Sequence, residues 1–409
     1  MIEKLAKPFT LNGAMKSSSF RHFLFGSFVV RTTDWMDLTL LNWLVYQWTQ
    51  SPLALGILNA CRLLPIFIFG LQAGVLADRY DRKKVLVASY LGIFVTTLLL
   101  AYIVYADFSM IWLYLVVFGR SLFMTVEVPV RNAFLSDLVD ANHLPSAISL
   151  QTTIINIARM IGPALAGWLL LKLSTPSLFI LIALGTLVII VSLNGLKGTE
   201  TKRKPNERSV TKHSEDLKET FQYIKENHLI VSILLIAVAP MVFGFPYTTM
   251  LPLFVEELMG MGPDGFGLLL SVSSVGAILA TMVLSMKPPR HQGKILIFSA
   301  LGFGLFLGLF ILFNGSYLVS LFLMLSVGFS SQLYRTTSRI TLQMQVADAL
   351  RGRVLSIALM DRAYIPFGAL VIGVIASEFG ALAAGLFMGF GCFITTLIIV
   401  WRRPDLWNT

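Results

Sequence analysis

Apolar stretches recur along the whole sequence, separated by short polar segments or by breaks rich in glycine and proline. Each stretch has about 20 residues, which as a helix spans the ~30 Å hydrocarbon core of a bilayer. The pattern therefore predicts an all-α membrane protein with twelve transmembrane helices. We predict helices at about 20–49, 52–76, 85–106, 109–131, 145–171, 176–196, 229–255, 266–286, 293–313, 316–338, 353–377 and 380–401.

The longest polar segment divides these helices into two groups of six. It begins with LKGTETKRKPNERS, which is typical of a flexible charged linker. Leu217, Phe221 and Ile224 then recur at helical spacing among charged residues, which predicts an amphipathic helix on the inner membrane surface. We predict two six-helix bundles joined by a cytoplasmic linker, at residues 1–196, 229–409 and 197–228, respectively.

The distribution of basic residues predicts the topology. With a cytoplasmic N-terminus and alternating helices, 24 of the 32 lysines and arginines fall on the inside, and Lys172 is the one basic residue in the outside loops. The positive-inside rule then places both termini in the cytoplasm and the chain in the cell membrane. This rule also accounts for the net charge of +10. The predicted partners are therefore the lipid bilayer and a small-molecule substrate, not nucleic acid.

Signatures of enzymes and metal sites are missing from the sequence. The two cysteines, Cys61 and Cys392, lie inside apolar stretches, and the five histidines fall in loops or near predicted helix ends. The sequence has no Walker string and no H-E-x-x-H pair. We therefore predict a protein that is not an enzyme and binds no metal or cofactor.

A charged motif lies between the second and third predicted helices. Its sequence is GVLADRYDRKKVL, Gly74–Leu86. It resembles the major facilitator superfamily signature G-x-L-A-D-R-x-G-R-K-x-x-L. Asp81 replaces the second glycine, as in the drug:proton antiporter branch that includes macrolide efflux and enterobactin-type exporters. The resemblance implies two six-helix bundles, secondary transport by alternating access, and protons as the coupling ion.

The residues of this motif suit a cytoplasmic gate, although a generic basic loop is the alternative. Gly74 would allow close helix approach, and Asp78 would accept hydrogen bonds from a helix N-terminus or pair with an arginine. A basic cluster would contact the inner leaflet; it comprises Arg79, Arg82, Lys83 and Lys84.

A second motif, ARMIGPALAGWLL, lies in the fifth predicted helix. It resembles the G-P-x-L-x-G element of antiporters in this superfamily. Gly162 and Gly167 would allow close helix packing, and Pro163 would bend the helix. Ordinary packing of small residues is the alternative. Pro240 and Pro246 similarly predict an irregular stretch in the seventh helix.

Charged residues within the predicted helices are the strongest functional signal. Helix one carries Arg31, Asp34 and Asp37 at intervals of three, and the other charges of the first half are Arg62, Arg120, Glu127 and Arg159. The resemblance implies that helices one and four line the central cavity, which favours Asp34 and Arg120 as coupling residues. The alternative is that Asp34 and Asp37 form structural ion pairs with Arg31 or Arg62.

The second half has fewer charges, namely Asp361, Arg362 and Arg335, for which a structural ion pair is the favoured interpretation. Overall, we predict a proton-coupled exporter of amphipathic small molecules, drug-like or siderophore-like. A gradient-independent uniporter or importer of one metabolite and a lipid transporter remain alternatives. One chain supplies both halves, so a monomer is expected to be functional.

Overall fold

A computed structural model of the protein describes residues 12–196, 220, 222–286, 291–347 and 350–408. The regular secondary structure in these ranges is helical throughout. Ten of the described helical segments are long and apolar enough to cross a membrane, by length and composition. The chain is therefore an all-helical, multi-pass membrane protein. Leu217 and Phe221 of the predicted amphipathic segment lie outside the described residues.

Thirteen helices of eight or more residues form the described part of the chain, and we label them in chain order. They are α1 (Ser18–Thr49), α2 (Pro52–Arg79), α3 (Arg82–Tyr105), α4 (Met110–Leu138), α5 (Leu144–Leu170), α6 (Thr175–Asn194), α7 (His228–Ala239), α8 (Tyr247–Glu257), α9 (Pro263–Met286), α10 (Gln292–Leu312), α11 (Tyr317–Gln345), α12 (Arg351–Leu359) and α13 (Tyr364–Arg402). The shorter turns are Asn12–Met15, Ala141–His143, Met360–Ala363 and Pro404–Asn408.

Two irregularities follow directly from the sequence. Between α7 and α8 the chain forms a π-helical turn, Pro240–Gly244, which confirms the irregular stretch predicted from Pro240 and Pro246. In α13, Gly380 has φ of 82° and interrupts the helix where the eleventh and twelfth predicted helices meet. Glycine adopts this positive φ without the steric cost that a Cβ atom would bring.

The described helices cluster into two compact units by their contacts. The first unit comprises Met1–Leu38, Leu64–Gly162 and Lys172–Asn206, and the second comprises Thr39–Leu63, Pro163–Leu171 and Glu207–Thr409. Helices α1, α2 and α5 therefore contribute residues to both units. Since these units follow contacts rather than chain order, the predicted domain boundaries at 1–196, 197–228 and 229–409 stay a prediction.

An apolar cluster holds the helices of the first unit together. Phe20 and Phe23 of α1 are fully buried against Tyr90 of α3 and Phe134 of α4. The rings of Phe23 and Phe134 meet edge to face, with their centroids 5.7 Å apart. This packing positions the charged middle of α1 beside α3 and α4.

Small residues and hydrogen bonds hold the second unit together. The backbone N–H of Ala164 donates to Oγ of Ser271 on α9 at 3.0 Å. Trp43 of α1 stacks on Phe266 of α9, with ring centroids 6.0 Å apart. Near the end of α1, the Tyr46 hydroxyl donates to Oε1 of Glu257 at 2.6 Å. The final turns of α1 and the last turns of α5, from Pro163 onwards, thus pack with α8 and α9.

Candidate functional site

Arg31 lies at the centre of a charged cluster in the first unit. Its Nη1 is 2.9 Å from Oδ2 of Asp34, one turn along α1. Its Nη2 donates to Oε1 of Glu127 on α4 at 2.8 Å. One guanidinium group therefore holds two carboxylates on two different helices.

Glu127 is the most enclosed acid of this cluster, with 1% of its surface exposed. Its Oε1 accepts hydrogen bonds from Arg31, from Nε of Arg131 at 2.8 Å and from the Tyr90 hydroxyl at 2.7 Å. Arg131 lies one turn further along α4, whereas Tyr90 comes from α3. Three donors converge on a buried carboxylate, an arrangement that stabilises its ionised form in place of water.

Asp37 and Arg120 form a separate, fully enclosed ion pair. Nη1 and Nη2 of Arg120 donate to Oδ1 and Oδ2 of Asp37 at 2.6 and 2.5 Å, respectively. Asp37 is 4% exposed and Arg120 is 2% exposed. This two-pronged geometry is the strong form of an arginine–carboxylate contact. Arg120, which the sequence favoured as a coupling residue, therefore has Asp37 as its ion-pair partner.

Asp34 differs from the other two acids in its exposure and in its partners. Its side chain is 22% exposed, and in the described part of the chain it forms one ion pair, with Arg31. Protonating Asp34 would leave Arg31 still paired with Glu127, so no buried cation would lose its last partner. Protonating Asp37 would instead leave Arg120 buried without its acid, which costs several kcal/mol. Asp34 is thus the acid of this cluster whose neutralisation would leave every buried arginine with an acidic partner.

The remaining candidate arginines of the first half are Arg159 and Arg62. The guanidinium carbon of Arg159 on α5 lies 6.0 Å from the centre of the Trp35 ring of α1, at the outer limit for a cation–π contact. Arg62 belongs to the second unit. The ion pair between Asp34 and Arg31 that the sequence offered as an alternative is confirmed, whereas Asp37 pairs with Arg120.

The charged motif after α2 is anchored within the first unit. Nη1 of Arg82 is 2.9 Å from Oδ1 of Asp137 and donates to the carbonyl oxygen of Ala133 at 3.0 Å. Nζ of Lys83 donates to the carbonyl oxygen of Leu196 at 2.6 Å. Arg82 is only 6% exposed, so its predicted contact with the inner leaflet is wrong. The protein buries the side chain of Arg82, and Asp137 neutralises its charge.

Asp81, the departure from the superfamily signature, has a structural role. Its side chain accepts a hydrogen bond from the backbone N–H of Lys84 at 2.9 Å and caps the N-terminus of α3. The side chains of Asp78 and Arg79 lie outside the described residues. A Cβ atom at Gly74 would meet no described atom within 4 Å, so the close helix approach at Gly74 stays a prediction.

The glycines of the α5 motif do lie at close helix contacts, as predicted. A Cβ atom at Gly162 would come 2.6 Å from Cβ of Trp35, and one at Gly167 would collide with the carbonyl oxygen of Pro263. The carbonyl group of Pro163 in turn lies against Gly267 of α9. Glycine is required at these positions because backbone atoms occupy the space of a side chain.

For the charges of the second half, the structural ion pair that the sequence favoured stays a prediction. The guanidinium carbon of Arg335 lies over the ring of Phe245, 4.1 Å from its centre. Arg335 and Asp361 line one cavity of the second unit together with Arg339. The side chain of Arg362 lies outside the described residues.

Sequence reasoning missed several residues that complete these clusters. Tyr90 lies in an apolar helix, where a tyrosine is not distinctive, and Asp137 lies in a segment that was treated as a loop. Arg131 is recognisable in retrospect because it follows Glu127 by four residues on one helix face. In the described residues, no group of three or more histidine, cysteine, aspartate or glutamate side chains could hold a metal ion.

Comparison with known proteins gives one family over nearly the whole chain. A sequence model of the family described as "Transmembrane secretion effector" matches residues 11–406. The staphyloferrin A transporter of Staphylococcus aureus is 32% identical over 399 residues, which is 94% of this chain and 96% of that protein. Macrolide efflux protein A of Streptococcus pyogenes is 22% identical over 81% of this chain and 83% of that protein.

Among solved structures, a peptide transporter, POT, in complex with sulfate aligns with a TM-score of 0.76 at 13% identity. The alignment covers 96% of this chain and 95% of that one. At this identity the likeness concerns the fold alone. It supports the predicted major facilitator architecture.

Proposed function

Because the chain belongs to the transmembrane secretion effector family of major facilitator transporters, we propose that it exports amphipathic small molecules in exchange for protons. The family and its relatives are membrane transporters, not enzymes. The names of two relatives, a staphyloferrin A transporter and a macrolide efflux protein, support a siderophore-like or drug-like solute. The observation that carries proton coupling is the ion-pair network around Asp34 on α1.

Asp34 is the proton carrier in this proposal. It is the most exposed of the three acids, and it shares its arginine with Glu127. Loss of its charge therefore breaks one ion pair and leaves the rest of the network intact. Glu127 and Asp37 hold their partners through several short hydrogen bonds and serve as fixed charges.

Coupling follows from the shared guanidinium of Arg31. With Asp34 ionised, Arg31 is held between α1 and α4 by two acids; with Asp34 protonated, Glu127 of α4 holds it alone. The two protonation states thus favour different orientations of the Arg31 side chain, which links α1 to Glu127 of α4. Alternating access then loads a proton from one side of the membrane and releases it on the other.

The membrane arrangement belongs to the same proposal. α1 is not among the ten apolar segments because its middle carries Arg31, Asp34 and Asp37. Its 32 residues are nevertheless long enough to span a bilayer. Gly380 divides α13 into two parts. Counting α1 and both parts of α13 with the other apolar segments gives twelve spans, with both termini in the cytoplasm and a monomer as the working unit.

A reconstituted transport assay tests this function. Purified protein in liposomes is given a proton gradient, and the accumulation of fluorescent amphiphiles is followed for wild type, Asp34→Asn and Asp107→Asn. Asp107 is an exposed loop aspartate with φ of 53°, a conformation that asparagine also adopts, so it provides a matched control.

We expect gradient-driven accumulation by wild type and Asp107→Asn. Asp34→Asn should retain only downhill equilibration, because its amide cannot carry a proton. Uphill transport that is unchanged in Asp34→Asn would reject the coupling role. If the amphiphiles equilibrate through the wild-type protein independently of the proton gradient, a uniporter is favoured instead.

A further inference from the structure

A cavity of about 200 Å³ lies in the second unit, beside α11. Its wall is formed by α11, by the turn between α7 and α8, by α12 and by the turn before α13. The residues that line it are Met241, Tyr334, Arg335, Ser338, Arg339, Leu342, Gln343, Leu355, Ala358 and Asp361.

Among the described residues that line this cavity, basic side chains outnumber acidic ones. Arg335 and Arg339 each bring a guanidinium group, whereas Asp361 brings one carboxylate. The two arginines are four residues apart, so they lie one above the other on the same face of α11. One bound anion could contact both guanidinium groups from this face.

Further donors point to the same chemistry. Tyr334 is 1% exposed, and its hydroxyl lies beside that of Ser338 in the cavity wall. Ser338 and Gln343 add a hydroxyl and an amide to the cavity wall. Hydroxyl, amide and guanidinium groups together can surround the oxygens of a carboxylate, sulfonate or phosphate.

The rest of the wall suits the apolar part of the same ligand. The aliphatic side chains of Met241, Leu342 and Leu355 line it, and the Phe245 ring lies beneath the guanidinium of Arg335 at 4.1 Å. Stacking on an aromatic ring fixes the plane of an arginine and preorganises its donors. The cavity is smaller than the ~300–1,000 Å³ typical of sites for drug-sized ligands, so it holds one end of a larger molecule.

From this arrangement we propose that the cavity is an anchoring subsite for the anionic group of an amphipathic organic anion, which the protein transports. This inference rests on the proposed function and gives its solute a charge class. Arg339 at the exposed mouth attracts the anion, and the half-buried Arg335 binds it further in. The acids of α1 are not part of this subsite and keep their role in proton coupling.

Equilibrium binding without any gradient tests the subsite. The protein is placed in nanodiscs of phosphatidylcholine, and three probes with one naphthyl body are titrated: a sulfonate, a neutral sulfonamide and a trimethylammonium cation. Variants are Arg339→Gln, Arg339→Lys and Arg335→Lys. Arg402→Gln serves as control, because Arg402 is exposed at the end of α13, outside the cavity.

We expect wild type and Arg402→Gln to bind the sulfonate more tightly than the other two probes. Arg339→Gln should weaken sulfonate binding about tenfold or more, since a hydrogen bond to a charged group is lost. Its affinity for the neutral probe should not change. Arg339→Lys should restore part of the affinity through its charge, and Arg335→Lys should weaken binding because a lysine lacks the planar fork.

Two results would overturn the proposal. One is equal binding of the three probes, or sulfonate binding that Arg339→Gln leaves unchanged. The other is loss of sulfonate binding when phosphatidylglycerol is added to the nanodiscs, which would assign the cavity to a lipid headgroup. Either failure would leave the gradient-driven transport by wild type and its loss in Asp34→Asn untouched, so the two proposals fail separately.

Discussion

At the scale of single residues, the two aspartates of α1 have different surroundings although both carry the same group. Three residues along a helix turn a side chain by about 300°, so Asp34 and Asp37 point about 60° apart. That difference places Asp37 against Arg120 and leaves Asp34 with Arg31. The sequence predicted the charges and their shared face. It could not predict the partners, since these depend on how α4 is rotated against α1.

The Asp37–Arg120 pair provides the first stability prediction. Asp37→Asn and Arg120→Gln should each lower the free energy of unfolding by about 3–5 kcal/mol, because each leaves the partner's charge buried and unpaired. The double variant should lose less than the two single losses combined. Thermal unfolding in detergent measures all three, with Asp107→Asn as control. Strictly additive losses would mean that the pair is not coupled.

At the scale of elements, α5 illustrates how one short motif serves two contacts. Gly162 packs on α1 within the first unit, whereas Gly167 packs on the start of α9 within the second. The boundary between the units falls between Gly162 and Pro163. The glycine–proline motif predicted close packing correctly, whereas no described atom approaches Gly74. Spacing of small residues indicates that a helix can be approached, not that a neighbour is there.

A matched pair of glycine substitutions tests the packing of α5. Gly167→Ala should destabilise the protein by about 1–3 kcal/mol, because its Cβ atom would collide with the backbone of Pro263. Gly119→Ala in α4, where a Cβ atom meets nothing within 4 Å, should be neutral or stabilising by up to about 1 kcal/mol. Unfolding temperatures of the two variants in the same detergent provide the comparison. A stability of Gly167→Ala equal to that of Gly119→Ala would contradict the observed helix contact.

At the scale of the whole molecule, the architecture was largely readable from the sequence. Apolar runs and the loop motif predicted a helical membrane transporter of the major facilitator type, because bilayer thickness and the positive-inside rule constrain every helix alike. The subsite near Arg339 could not be predicted from the sequence. Its lining comes from α11, α12 and two irregular turns, and only tertiary packing brings these together.

The central claim, exchange of a proton for solute through Asp34, is tested most directly by running the exchange in reverse. Liposomes with a trapped pH-sensitive dye and no initial pH gradient receive an external excess of a permanently charged amphiphile, with protein-free liposomes as control. The account predicts that solute entry drives protons out, so the lumen becomes alkaline with wild type and Asp107→Asn but not with Asp34→Asn. Acidification of the lumen, or solute entry without any pH change in wild type, would contradict it.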